Sequence, residues 1–464
     1  MIDKIVSTIN DIVWSPALVV LLVGAGLYFS FRTRFVQVRR FSLMIRSLFA
    51  PKEQSEDDTK HGISSFEAFC VALSGRVGTG NIVGVATAIA LGGPGAVFWM
   101  WLIAFFGAST AFVESSLAQQ YKFHHSTGFR GGPASYIEKG LKLPWLGVVF
   151  SICCIIGYGL LLSPVQSNGM TGALSNSFGI NPLYSGLALA FVLALVIIGG
   201  IKSISRVAAI VTPFMALGYL IITVIVIAHH IESVPHVLKM IVTGAFGIQP
   251  VAGGILGSTI MMGVKRGIFS NEAGQGGGAI VSASAAVSHP AKQGLAQAFS
   301  VYVDTLLICT ATALMILCSG NYNILDAKTG EMLVAGNAAL GDNYVGYTQA
   351  AVDSVLSGFG STFVSIAMVF FVFTTIMAYY FYGESSIMHI FEHKNGKGEK
   401  VAIWAYRLSL LGMVVFGAAR EANVIWQLGD VGVGLTAWIN VIALLLLCPE
   451  AVRLLKDYED SLKA

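Results

Sequence analysis

Charge is what this sequence has least of. Of its 464 residues only 11% are Asp, Glu, Lys or Arg, against 55% hydrophobic, and the mean hydropathy is +0.73. A soluble domain carries roughly 25% charged residues. Lipid rather than water must therefore cover much of the surface. The formal net charge is only +3, which argues for no acidic partner. The basic residues form no amphipathic basic helix or RNA-binding motif, which argues against nucleic acid. Metal-type cysteine spacing is missing too. Cys70, Cys153, Cys154, Cys309, Cys318 and Cys448 all fall in or beside apolar segments. None has CxxC spacing, so they read as buried small apolar side chains. There is no HExxH zinc pair, and no Ser-His-Asp set falls at one depth. The chain therefore reads as a non-enzyme without a resident cofactor. His124-His125 and His229-His230 read as interfacial pairs rather than metal ligands. No cleavage pattern follows the apolar run Pro16–Phe31, which reads as a retained first helix.

Long apolar stretches are what the sequence has instead. A membrane span needs about 20 mostly apolar residues, and about eleven stretches meet that rule. Their cores are Val13–Phe31, Ser64–Ala90, Ala96–Tyr121, Trp145–Phe178, Leu183–Gly200, Val207–His229, Val251–Val287, Ala296–Gly320, Val352–Tyr382, Val401–Ala418 and Val424–Pro449. The polar stretches Arg32–Gly62, Lys122–Pro144, Asn321–Gln349 and Glu392–Lys400 read as loops, none large enough for a second domain. With the N-terminus outside, about 20 basic residues fall on the cytoplasmic side together with the C-terminus. Only Lys4, Lys239, Lys328 and Arg420 then lie outside. This asymmetry predicts a multi-pass protein of the cell membrane with its C-terminus in the cytoplasm.

Two spans break the rules of a continuous helix. The second contains Ser74-Gly75-Arg76-Val77-Gly78-Thr79-Gly80-Asn81, and the seventh contains Gly267 to Gly278 with Ser270, Asn271 and Glu272 inside it. Each glycine costs roughly 1 kcal/mol of helix propensity relative to Ala. Clusters of them beside Asn and Ser predict interruptions. Such backbone survives at membrane depth only where protein or a water-filled cavity surrounds it. A half-helix that starts after a break offers N–H groups to an anion. One that stops before it offers carbonyls to a cation. Two breaks five spans apart predict an inverted-repeat transporter. It would be one membrane domain over 1–464, with an extra helix at 13–31, a first repeat at 64–229 and an inverted second repeat at 251–449. Glycines that merely allow close helix packing would not explain a matching second break that carries a carboxylate and amides. Soluble phosphate-loop readings fail, because no β-strand precedes either glycine run.

The ordered motifs resemble those of the alanine or glycine:cation symporter family, also called the sodium:alanine symporter family. They are Val77-Gly78-Thr79-Gly80-Asn81-Ile82, Gly92-Gly93-Pro94-Gly95, Gly131-Gly132-Pro133, Gln166-Ser167-Asn168, Gly263-Val264-Lys265-Arg266-Gly267, Phe269-Ser270-Asn271-Glu272-Ala273-Gly274, Phe373-Thr374-Thr375 and Tyr382-Gly383-Glu384. The resemblance runs over most of the chain. It implies an all-α, leucine-transporter-like fold with an inverted five-plus-five repeat and two discontinuous helices. It also implies uptake of alanine or glycine coupled to sodium as a co-transported ion. Some members resemble glutamine carriers. Where many members have Gly-Trp after the threonine pair, Ala378-Tyr379 stands here, a change that alters pocket size.

A zwitterion needs anion donors and cation acceptors side by side. We assign its carboxylate to the N–H groups of Thr79 and Gly80 with the Thr79 hydroxyl. Its ammonium falls to acceptors near Phe269, Ser270 and Asn271, and its side chain to the Phe269 ring. Gln166 and Asn168 are amides in an apolar helix; they either face the site or brace the unwound backbone. Asn81 either serves a second cation or orients the substrate. The resemblance implies a sodium site from the carbonyls of Ser74, Val77 and Phe371 with the hydroxyls of Thr374 and Thr375. Residues three and four apart share a helix face, which suits that set. The remaining intramembrane charges are Arg76, Glu114, Lys265, Arg266, Glu272 and Asp304. Glu114 and Glu272 are expected to hold the broken segments through backbone N–H groups or to pair with Arg76. Proton coupling and, in a different class, an ion channel are the alternatives. Two dissimilar breaks suit one enclosed site better than a pore.

Overall fold

The computed structural model describes residues 2–51, 62–247, 256–327, 329–392 and 396–463, with side chains from residue 5 onward. The expected start of the seventh span at Val251, and Lys52, Lys60, Lys328 and Lys394 of the charge count, lie outside the described residues.

Helices dominate, and their ends follow from local chemistry. Ser64 starts the Ser65–Arg76 helix through a capping box, its side chain accepting from the Glu67 amide while Glu67 bonds back to the Ser64 N–H. That satisfies two donors which no helical turn can reach. Proline stands in the first turn of the helices that begin at Pro144, Pro182 and Pro290, where its missing N–H costs nothing. Among the described residues, eight helices are long and apolar enough to cross a membrane. They are Ile5–Arg32, Ala96–Gln120, Pro144–Phe178, Gly200–His229, Pro290–Ser319, Gly360–Ile390, Lys397–Ala418 and Ala422–Ser461. The Ser65–Arg76 and Gly80–Gly92 pair passes the same test as one span bent by 51°. The shorter apolar helix Pro182–Ile197 fills the fifth predicted stretch. The seventh holds Leu256–Asn271 and Gly277–Ala283.

Two features depart from a purely helical reading. Phe123–His125 pairs antiparallel with Gly128–Arg130, and Asn323–Leu325 with Met332–Ala335. Both hairpins lie in stretches read as loops. They follow from polar turns such as Ser126-Thr127, which let short strands pair outside the apolar helices. Among the described residues three helices also carry π-turns, at Gly80–Gly84, Ile155–Leu162 and Tyr302–Cys309. Such turns concentrate at functional positions.

Burial sorts the helices into layers. In Ala96–Gln120, Pro290–Ser319 and Ala422–Ser461, 67% of the most apolar window is enclosed, against 33% in Gly200–His229 and Lys397–Ala418. The first group forms the centre, and the second presents Phe214, Leu217, Ile221 and Leu408 outward, as lipid-facing helices must. The two broken segments sit among the central helices. All of their residues from Ala68 to Ala90 and from Gly263 to Val287 are buried.

Candidate functional site

The first break falls at Val77-Gly78, between the end of the Ser65–Arg76 helix and the π-turn that opens at Gly80. Glycine is required at 78 by close approach. A Cβ there would lie 2.5 Å from Gln166 Oε1 and 2.7 Å from Thr375 Oγ1. The freed amides find side-chain partners. The Gly78 N–H donates to Asn81 Oδ1 at 2.8 Å. The Thr79 N–H and hydroxyl both donate to Gln166 Oε1 at 2.9 Å. Gln166 Nε2 reaches the Tyr379 hydroxyl at 3.4 Å.

The second break follows Asn271. Glu272 takes a left-handed conformation at φ 54, followed by Gly274 at 84 and Gly276 at 92. A left-handed acidic residue is uncommon and is held only where its surroundings over-determine it. Here Asn271 Oδ1 caps Ala273 N–H at 3.0 Å and Asn440 Nδ2 binds Gly274 O at 2.9 Å. Gln275 Nε2 reaches back to Ile268 O at 2.6 Å. The Tyr382 hydroxyl donates to Glu272 at 3.2 Å, and Asn440 Nδ2 to Glu114 at 3.1 Å. The backbone amides of Gly274 and Gly276 face the Glu114 carboxyl group.

The two breaks face each other. Gly80 lies against Phe269 and Ser270: a Cβ on it would sit 3.2 Å from the Phe269 ring and 3.3 Å from Ser270 Cα. Phe269 is braced by the Trp426 ring at 5.1 Å. Arg76, just before the first break, donates to the Asn271 carbonyl at 2.7 Å, to Gln297 Oε1 at 3.0 Å and to the Ser300 hydroxyl. Those partners are neutral, so among the described residues Arg76 ties the two segments together without bonding to Glu114 or Glu272.

An oxygen cluster lies beside the first break. The Thr375 hydroxyl is 2.8 Å from Ser74 O, 3.1 Å from Val77 O and 2.8 Å from Phe371 O. A hydroxyl has one hydrogen, so it can donate to only one of these carbonyls. Thr374 Oγ1 lies 3.1 Å from the same Phe371 carbonyl and 3.0 Å from Phe370 O. Three carbonyls from two segments thus converge on the Thr375 hydroxyl, with the Thr374 hydroxyl against one of them, near the negative end of the Ser65–Arg76 half-helix. All five residues expected to form a cation site are brought together. Asn168 is not brought to the break: it turns to the carbonyls of Gly417 and Arg420 at 2.9 and 2.8 Å. Those carbonyls lie at the end of the neighbouring Lys397–Ala418 helix, where helical partners run out.

Asp304 is the residue that sequence reasoning left without a role. It sits in the π-turn of Pro290–Ser319 and is fully buried. Its carboxylate accepts from Asn81 Nδ2 at 2.7 Å, Ser270 Oγ at 2.9 Å and Thr305 Oγ1 at 2.7 Å. One carboxylate therefore bonds to both broken segments. Its only signal in the sequence was a lone acidic residue in an apolar span. Asp430 was missed as well: Lys265 and Arg266 meet it at 2.8 and 2.9 Å, beside the Phe269–Trp426 stack.

Known proteins are similar to this chain in sequence and in fold. The sequence profile described as the sodium:alanine symporter family matches residues 1–464. A Bacillus subtilis protein named putative sodium/proton-dependent alanine carrier protein YrbD is 48% identical over 99% of this chain and 93% of its own length. A second from the same organism, named probable sodium/glutamine symporter GlnT, is 42% identical over 100% of this chain and 92% of its own length. The crystal structure of MhsT in complex with L-phenylalanine matches with a TM-score of 0.56 at 13% identity, covering 85% of this chain and 98% of that one. At that identity the likeness carries the fold, a leucine-transporter-like helical bundle, and the fold alone.

Proposed function

Because the chain belongs to the sodium:alanine symporter family, a family of transporters, we propose that it couples sodium influx to uptake of a small neutral amino acid, alanine or glycine, by alternating access. The observation that carries this reading is the oxygen set around Thr375. Three carbonyls crowd one hydroxyl hydrogen. A hard cation, which takes several oxygen ligands, gives all of them a partner at once. Ser74, Val77 and Phe371 supply carbonyls and Thr374 and Thr375 supply hydroxyls. The two segments that such an ion joins are the two whose relative position alternating access must change.

The substrate carboxylate meets the Thr79 and Gly80 amides and the Thr79 hydroxyl. Gln166 Oε1 holds the Thr79 donors in this structure and yields them as the carboxylate arrives. The ammonium sits near Ser270, with Asp304 behind it as counter-charge, and Asn81 links Asp304 to the first break. Phe269 closes the side-chain end. Glu114, Glu272 and Arg76 hold the broken backbone. The segments 64–229 and 251–449 act as inverted halves around this site, with residues 13–31 outside them and the N-terminus outside the cell.

Purified protein in liposomes should accumulate labelled alanine or glycine only when sodium is higher outside. Uptake indifferent to every cation gradient would overturn the reading, and single-channel currents would replace it with a channel. Glutamine outcompeting alanine would move the substrate to the specificity that the second relative's name carries. Proton coupling is the second reading. It is motivated by carboxylate oxygens of Glu114 and Glu272 that are buried without a hydrogen-bond partner among the described residues. An inward proton gradient that drives uptake at equal sodium would establish it.

A further inference from the structure

We propose that His389, Glu138 and Glu392 form a binding site for a divalent transition-metal ion, apart from the transport site, where the Gly360–Ile390 helix stops. One imidazole nitrogen and one oxygen of each carboxylate lie within 4.8 Å of one another. His389 Nε2 is 2.7 Å from Glu138 Oε2. Glu392 follows His389 by three residues, a spacing that keeps two side chains on one side of a helix end. Glu138 comes from a different element, the short Pro133–Lys139 helix.

A third element, the Pro144–Phe178 helix, shapes the site. Its Gly147 and Ser151 are four apart and share a face. A Cβ on Gly147 would lie 3.3 Å from His389 Cε1 and 3.4 Å from Glu138 Cβ. Glycine there lets the imidazole and the Glu138 side chain settle together against the helix. Ser151 Oγ lies 3.1 Å from His389 Nδ1. An imidazole whose Nδ1–H is held by an outer partner presents its Nε2 lone pair to a metal. His389 is buried and its ring is braced, whereas Glu138 and Glu392 are half-buried and free to adjust.

An unpaired atom and the local charge point to a cation. Glu392 Oε1 pairs with Lys139 Nζ at 3.0 Å, and Lys139 also stands over the Phe123 ring at 5.0 Å. Glu392 Oε2 is buried without a hydrogen-bond partner among the described residues. Such an atom costs free energy and calls for a water or an ion. Around the imidazole, two carboxylates outweigh the one ammonium of Lys139. A bond between His389 and Glu138 satisfies those two alone, whereas an ion gives Glu392 Oε2 a partner as well. Zinc bonds nitrogen and oxygen at about 2.0–2.2 Å, so tetrahedral ligands stand about 3.4 Å apart. The close His389–Glu138 pair opens and the wider pairs close by about 1 Å to reach that spacing. One imidazole with two carboxylates suits zinc and its first-row neighbours, whereas magnesium keeps oxygen ligands and its waters.

The test titrates zinc chloride into purified, tag-free protein stripped with a chelator. Binding is read by calorimetry and stability by the thermal midpoint. Wild type should bind one zinc ion per chain at this site, and zinc should raise its midpoint, while magnesium at the same concentration should do neither. His389→Gln and Glu392→Gln should each weaken that binding about tenfold or more, since losing even an outer partner of a metal site costs about that much. Glu392→Gln alters a half-buried side chain and keeps the contact between His389 and Glu138, so it reports even if the buried substitution does not fold. Equal zinc affinity in wild type and Glu392→Gln puts the metal on other residues and overturns the proposal. A midpoint that magnesium raises as much as zinc overturns it too. None of these readouts uses amino-acid transport, so failure here leaves the transport proposal standing.

Discussion

Thr375 and Thr374 are neighbours with unequal reach. Thr375 spans from its own helix to Ser74 and Val77, whereas Thr374 bonds carbonyls of its own helix and the Met215 sulfur, and none on the first broken segment among the described residues. The threonine pair was legible in the sequence; its ranking was not, because it depends on which face meets the first break. Thr375→Ala should raise the sodium concentration for half-maximal uptake roughly tenfold, as a hydrogen-bonding group on a charge is worth about 1.5–3 kcal/mol. Thr375→Ser keeps the hydroxyl and should stay near wild type. Equal sodium dependence in Thr375→Ala and wild type would remove this residue from the cation site. Asp304 was hardly legible at all. A single acidic residue in an apolar span signals function, but its partners Asn81 and Ser270 are 223 and 34 residues away. Asp304→Asn preserves shape and removes the charge. It should raise the KM for alanine about tenfold or more by the same magnitude, with protein yield and thermal midpoint close to wild type. An unchanged KM would return Asp304 to a structural role.

The broken helices were legible as elements because glycine clusters defeat helix propensity wherever they fall. The π-turns and hairpins were not, since they arise from registers between elements that apolar periodicity does not encode. The second break depends on backbone that only glycine adopts easily. Gly276 has φ 92, and a Cβ on it would lie 2.4 Å from Pro133 Cγ, an atom of a rigid ring. Gly276→Ala should therefore cost about 1–3 kcal/mol in local strain and lower the thermal midpoint. Uptake should fall with it, because Gly276 sets where the Gly277–Ala283 half-helix begins. Gly172→Ala is the matched control. It sits inside the Ser163–Phe178 helix with nothing within 4 Å of its Cβ, where alanine is the better helix former. If both substitutions behave alike, the conformation of the second break is not what limits the fold.

At the scale of the whole molecule, three polar ties join the breakpoint of the first segment to the later half of the chain, beside its bonds to Gln166, Gln297 and Ser300. Thr375 meets Ser74 and Val77, Asn81 meets Asp304, and Arg76 meets Asn271. Each crosses from the 64–92 segment to a helix beyond residue 256; the family resemblance had grouped Thr375 with Ser74 and Val77, whereas the Asn81–Asp304 and Arg76–Asn271 pairs were invisible in the sequence, although most of those partners stood out singly. A cation at Thr375 would strengthen the first of these ties and leave the outer helices untouched. An ion that binds the folded protein and not the unfolded chain stabilises by RT ln(1 + [L]/Kd), about 2.7 kcal/mol at a hundred times Kd. Sodium chloride should therefore raise the thermal midpoint of the purified protein in a saturable way. Potassium chloride at equal ionic strength should not, which separates binding from screening. Thr375→Ala should shift the saturation to higher sodium, and alanine should add to the rise only when sodium is present if the ion orders the first break for the substrate. A rise shared by potassium, or alanine stabilising equally without sodium, would uncouple the oxygen cluster from transport and leave it as a packing device between two helices.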